Sequence, residues 1–334
     1  MSKPATHLRR PVARLAIAAV AAVAALIVAE GDALSHQTPD PTDPGPLYSL
    51  VDDPLGRTYL RVLGRPDGAD MVYRISGAVY ADVPGDALAS GPRHGAKLFG
   101  FEGYNIRRLY RDPGTDQLRL LTRELVFYTD PADPTRILTE WANPADERTY
   151  PVVPVNNDEV NQGPFPIDAG FTGPPAQTVL DRTVWTLDIP PRTDLGATLG
   201  EDFGLPGGIY TTWELFDFTV DSKEIRRNAG HRVPTGAMPV VGTWSRVGPW
   251  PPFMCLSEAD TGGAGVVYHA RSWTLDGYED LEPWIREAVE ADYPLYTAAP
   301  EAPRQSQTSW SSFWAKELGE GAMSWAEWCE ANGS

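Results

Sequence analysis

Three residues on separate strands carry the chemistry this sequence offers. Glu214 lies in IYTTWELFDFTVD (209–221), where alternation places it on one face with Tyr210, Thr212, Phe216, Phe218 and Val220. A carboxylate on a mostly apolar face loses hydration, which raises its pKa unless a cation or hydrogen-bond donors compensate. Glu214 is therefore a candidate general acid or base, and equally a candidate anchor of an internal ion pair. Asp217 and Asp221 fall on the other face and read as turn or surface groups. His269 lies in GVVYHARSWTL (265–275), sharing a face with Val267, Arg271 and Trp273, while Tyr268 points the other way. It is the second acid–base candidate, the alternative being a hydrogen-bonded core histidine. His94 and His231 sit in loops rich in Gly and Pro, which leaves His269 the better placed.

The third is Arg246, in VGTWSRVGPWPPFM (241–254). As a strand, this run projects Trp244 and Arg246 from one face, with Trp250 following the Gly248-Pro249 break. A guanidinium over an indole gains about 0.5–2 kcal/mol and still presents a fork for a carboxylate. That carboxylate is either internal, with Glu214 as the partner, or part of a ligand.

Other chemistry lacks its motif. The chain has no GxSxG, HExxH or P-loop, and its glycine runs lack the strand–helix context of a dinucleotide site. So few histidines make a multi-histidine metal centre a poor reading, and neither Cys255 nor Cys329 sits beside another ligand. No cofactor and no metal are expected. The two cysteines can pair in an oxidising compartment, but one bridge is not a disulfide framework.

The elements that must position these residues are strands. Pro (32) and Gly (31) are abundant without any repeat, which favours short strands and turns over long helices. Strands are expected over 70–83, over 107–128 as a hairpin about DPGTD, over 137–141 and 148–153, then over 183–189, 208–221, 239–247 and 265–275. One helix is expected in LEPWIREAVEADY, capped by Asp280 and ended by Pro294, followed by a loose polar tail. This pattern predicts an antiparallel, closed or nearly closed β-barrel of lipocalin type with one C-terminal helix. A two-sheet sandwich is the alternative.

Residues 1–14 carry four basic side chains and precede fifteen uncharged residues, LAIAAVAAVAALIVA. That run is short for a membrane span, which needs about 20 residues. Residues 1–35 therefore read as a cleaved export signal, with Arg9-Arg10 suggesting the twin-arginine route. An uncleaved N-terminal anchor is the alternative. Residues 36–48 read as a linker, 49–314 as one domain and 315–334 as a tail. Removing the signal shifts the net charge from −17 to about −19. A surface that acidic repels phosphate backbones, so nucleic acid is excluded as a partner, and no stable membrane span is expected after cleavage.

Several runs occur together: LFGFEGYNIRRL (98–109), FYTDP with EWANPADERTYPVVPVNNDEVN (127–161), WELFDFTVD, GTWSRVGPWPPFM, VVYHARSWTL and QTSWSSFW (307–314). In this order they resemble the family of domain of unknown function 1838, over roughly residues 50–314. The resemblance adds Glu102, Asn157 and Tyr268 to the ligand-binding candidates Trp244, Arg246 and Trp250, and it carries no known chemistry. The tail beyond Trp314 looks like an addition to the family pattern. Three functions are compatible with these residues. One is an exported barrel binding a hydrophobic or aromatic small molecule. Another is a cofactor-independent cyclase, isomerase or hydratase using Glu214 and His269, and the last is a structural module of the cell envelope.

Overall fold

The computed structural model describes residues 54–83, 92–165, 173–189, 192–194, 209–229, 234–256, 261–307 and 310–334. The segments read from sequence as an export signal and a linker, and His231, lie outside these residues. Helix α1 (Pro54–Leu63) precedes a meander of β1 (Met71–Asp82), β2 (Lys97–Arg111) and β3 (Leu118–Thr129). A small hairpin, β4 (Glu140–Ala142) and β5 (Thr149–Pro151), follows. The chain then returns to β3 through β6 (Val155–Asp158) and β7 (Gln162–Phe165). The second half comprises β8 (Ala176–Val179), β9 (Arg182–Ile189), the ribbon β10 (Arg192–Asp194) with β11 (Ile209–Thr211), and β12 (Trp213–Asp221). Next come α2 (Ser222–Asn228), β13 (Val241–Gly248), β14 (Gly265–Leu275), α3 (Pro283–Asp292), α4 (Trp310–Lys316) and α5 (Trp325–Asn332).

Ten strands form one antiparallel sheet in the order β6-β3-β2-β1-β14-β13-β12-β9-β8, with β7 also on β3. Two meanders are thus joined where β1 pairs with β14. The strands expected over 70–83, 183–189, 239–247 and 265–275 match β1, β9, β13 and β14. By contrast, β2 begins at Lys97 rather than 107, and the expected 208–221 strand divides at Thr212 into β11 and β12. Strands β6, β7, β8 and β10 have no counterpart among those expected.

The barrel does not form. Among the described residues no sheet closes on itself, and the fold is a large open antiparallel sheet. One physical reason lies at the β6 edge. The Asn156 carbonyl there accepts from the Tyr296 hydroxyl, from Ser312 Oγ at 3.2 Å and from Lys316 Nζ, so side chains occupy a group that a closing strand would need.

The sheet is nonetheless strongly curled. At about 4.8 Å per strand, a flat sheet would hold β3 and β12 roughly 24 Å apart. Yet Glu124 of β3 and Glu214 of β12 repel each other, and Arg246 of β13 is close enough to stabilise the Glu124 carboxylate. Two glycines admit the curvature. A Cβ on Gly77 would lie 2.5 Å from Ala270 Cα, and one on Gly103 would lie 2.5 Å from Val126 Cα. A bulge between Val79 and Tyr80 adds twist at the end of β1.

The inner face holds two apolar clusters. One unites Val79, Phe99, Phe101, Tyr128 and Val266 with Trp250, Phe253 and the tail residues Trp310, Phe313, Trp325 and Trp328. The other packs α1 against Tyr73, Leu109, Leu120, Trp185 and Val220. Arg61 reaches from α1 to Asn228 Oδ1 (3.0 Å) and Glu224 (3.4 Å) of α2, so the buried charge is paired. On the outer face, Leu281, Ile285 and Val289 around α3 cover Val72, Tyr104, Ile106 and Leu125.

The sequence suggested one helix, whereas five α-helices occur among the described residues. The α3 helix begins at Pro283 rather than being capped by Asp280, whose carboxylate accepts instead from the Gly277 N–H at 3.1 Å. The tail expected to be loose is folded. Ser324 caps α5 in a reciprocal arrangement with Glu327, and Cys329 forms a disulfide with Cys255. No helix among the described residues is long and apolar enough to cross a membrane.

Candidate functional site

Between the two inner clusters runs a polar belt, built by strand alternation. On β12, β13 and β14 the cross-strand register Glu214–Arg246–Tyr268 sets three side chains in one row. On β3 and β6 the pair Glu124–Asn157 sets two more opposite them. The curl turns these rows toward each other.

Arg246 Nε lies 3.7 Å from Glu214 Oε1, an ion contact too long for a hydrogen bond. The other Glu214 oxygen accepts from Trp244 Nε1 at 3.0 Å. Burial pushes the Glu214 carboxyl up to about 7, the Trp244 hydrogen bond opposes this, and the charge of Glu124 adds to it. Glu124 accepts from Asn157 Nδ2 at 2.7 Å. Burial raises its pKa as well, against the pull of Asn157, Arg246 and Arg107. The Arg246 guanidinium lies 5.7 Å from the Tyr268 ring centre, and burial lowers its pKa. The Tyr268 and Tyr128 hydroxyls are 3.0 Å apart, and burial raises both their pKa values.

Four of these groups, Arg246, Tyr128, Tyr268 and Asn157, line a cleft together with Phe253, Phe313, Trp310, Val155, Pro251 and Pro252. The cleft has a cavity volume of about 50 Å³, and its empty space is about 520 Å³ when the part open to solvent is included. The enclosed volume suits a few waters or a small polar group, at about 10–15 Å³ per water, so a larger ligand would extend into the part open to solvent.

Of the candidates named from sequence, Arg246, Tyr268 and Asn157 line this cleft, and Trp244 and Glu214 stand directly behind it. Trp244 stacks on Phe101, with ring centres 5.8 Å apart. The remaining three are elsewhere. Trp250 is fully buried in the core and donates to Thr261 Oγ1 at 3.0 Å. Glu102 is on the outer face, held by Arg74 at 2.6 Å and Ser76 at 2.8 Å. His269 is also on the outer face, exposed, with Nδ1 2.9 Å from Ser245 Oγ.

The proposed pairing of Glu214 with His269 is therefore not built by the fold: register places the two on opposite sides of the sheet. Because Tyr268 shares a row with Arg246, its neighbour His269 must face away.

Sequence reading missed Glu124 and Tyr128. The signal was present in QLRLLTRELVFY, where Leu118, Leu120, Thr122, Glu124, Val126 and Tyr128 alternate onto one face. No group of three or more His, Cys, Asp or Glu side chains able to hold a metal ion occurs among the described residues.

Fold and site together define a class: an open, curled antiparallel sheet whose concave face borders a cleft lined by a guanidinium, two phenols, an amide and apolar rings. The protein belongs to the family described as protein of unknown function (DUF1838), whose model matches residues 68–317. No curated protein and no solved structure matches the chain.

Proposed function

We propose that this protein binds an apolar or aromatic small molecule in the cleft, with Arg246 orienting the molecule's polar end. One observation carries the reading: a cleft lined by aromatic side chains and prolines also gathers Arg246, Tyr128, Tyr268 and Asn157. The N-terminal basic-then-apolar segment and the Cys255–Cys329 disulfide support placing this activity in an exported, oxidising compartment. Native mass spectrometry of the exported protein tests the reading. A co-purified molecule displaced by the Arg246→Met substitution supports it. No bound species, together with no thermal shift across an aromatic and aliphatic library, overturns it.

A second reading is favoured by Glu214. Its carboxyl is poised near neutrality beside a cation that can stabilise developing negative charge, the arrangement of a cofactor-independent proton-transfer enzyme. His269 has no part in this version. Isomerisation or hydration of a bound molecule, abolished by Glu214→Gln while binding persists, distinguishes it from simple binding.

A further inference from the structure

We propose that the molecule taken by this cleft is a neutral carbonyl compound, whose oxygen accepts the one O–H that the Tyr128–Tyr268 pair does not use within itself. The inference rests on the binding role proposed above and names its ligand class.

Two phenols hold two protons, and the single hydrogen bond between them spends only one. The Tyr128 and Tyr268 hydroxyls are 3.0 Å apart, and neither has another hydrogen-bond partner among the described residues. Whichever of the two donates, the other O–H is left without an acceptor. Both side chains are more than nine-tenths buried, Tyr128 at 3% exposure and Tyr268 at 7%, and both line the cleft. Burial raises both pKa values, so both protons stay in place at neutral pH. A hydroxyl that accepts one hydrogen bond donates a stronger one, and the pairing confers this on the unspent O–H.

A ligand answers that proton only by bringing acceptors without donors. An alcohol or a water brings an O–H of its own and leaves a surplus proton, whereas a carbonyl oxygen brings lone pairs alone. A carboxylate also accepts, but charge sets it aside. Arg246 lies 3.7 Å from Glu214 Oε1 and also stabilises the Glu124 carboxylate, so the belt answers this cation with its own acids. No other cation is among the described residues that line the cleft, and an added anion would face the charge of Glu124 and Glu214. Phe253, Phe313, Pro251 and Pro252 make the remainder of the lining apolar, which suits a carbonyl on a hydrocarbon body.

The test is calorimetric titration of the full chain with acetophenone, benzylacetone and methyl hexyl ketone. Each is set beside its secondary alcohol and beside the acid anion that replaces its acetyl group: benzoate, phenylpropanoate and heptanoate. At least one ketone is expected to bind about ten-fold or more tightly than its alcohol and its acid anion. Its carbonyl stretch, read by isotope-edited infrared difference spectroscopy, is expected below its value in hexane. The double variant Tyr128→Phe with Tyr268→Phe should erase the preference and return the stretch to the hexane value, while either single variant keeps one hydroxyl and part of both effects. Alcohols or acid anions that bind as tightly as the ketones overturn the carbonyl and leave the cleft reading standing. So does a bound ketone with an unshifted stretch, or a preference that survives the double variant. Failure of all three series to bind overturns both. If the double variant does not fold, the stretch in the wild-type protein and the three-way comparison decide.

Discussion

The hydroxyls of Tyr128 and Tyr268 lie 3.0 Å apart, although their strands, β3 and β14, are separated by β2 and β1. Three strand spacings in a flat sheet would be about 14 Å, so the two side chains lean toward each other across the concave face of the sheet. Replacing either tyrosine by phenylalanine removes the bond and leaves a buried hydroxyl without it. Each single variant should lose about 1–2 kcal/mol in urea unfolding, and the double variant less than the sum. Strict additivity would mean that the two rings are not coupled.

Glu214 should leave its mark on the pH profile of stability. Its folded pKa of about 7 stands above an ordinary value of 4.5, so the folded state holds the proton more tightly than the unfolded chain. Stability should therefore fall as pH rises from about 4.5 to 7 and level off above that, by at most about 3 kcal/mol for this group. Glu214→Gln should flatten that segment. A wild-type profile that rises over the same window would contradict the assignment.

Gly103 tests the curl. A methyl group there would meet Val126 Cα at 2.5 Å, and Val126 belongs to the neighbouring strand. Gly103→Ala should cost about 1–3 kcal/mol through overpacking. It should also weaken ligand binding, because β3 carries Tyr128 and Glu124. Unchanged stability would mean that the sheet tolerates a wider curve.

The Cys255–Cys329 bridge ties α5 to the segment after Pro251 and Pro252, across a sequence separation of 74 residues. Loss of a cross-link over such a span costs about 4 kcal/mol in the chain-entropy description. Cys329→Ser, or reduction, should lower the melting temperature and shift the fluorescence of Trp325 and Trp328 toward that of solvated indole. A thermal scan with and without reductant checks this.

His269→Ala should alter neither binding nor stability by more than about 0.5 kcal/mol, because the imidazole sits on the exposed outer face. This variant is the control for every inner-face substitution above.

Much of this architecture was legible as alternation. The period of two in WELFDFTVD and VGTWSRVG gave both the strands and the inward aim of Glu214, Trp244 and Arg246. What alternation cannot express is curvature, which depends on Gly77, Gly103 and the Val79–Tyr80 bulge, and which brings Glu124 within reach of Arg246. The same strand logic, applied across two strands at once, would have separated His269 from Glu214. His269 stands out in the sequence because His94 and His231 lie in loops, and that contrast says nothing about the face it occupies. The aromatic tail was misread because its helices are short and take their stability from the disulfide and from burial of Trp310, Trp325 and Trp328.

The junction of β1 with β14 divides the cleft between two halves of the chain. Tyr128 and Asn157 come from the first meander, Arg246 and Tyr268 from the second. Recognition is therefore a property of neither half alone. Partners such as Val72 and Leu275 must find each other across the length of the chain, a long loop to close. The ability to bind should be the last property acquired as the protein folds, and the first to vanish when that junction opens.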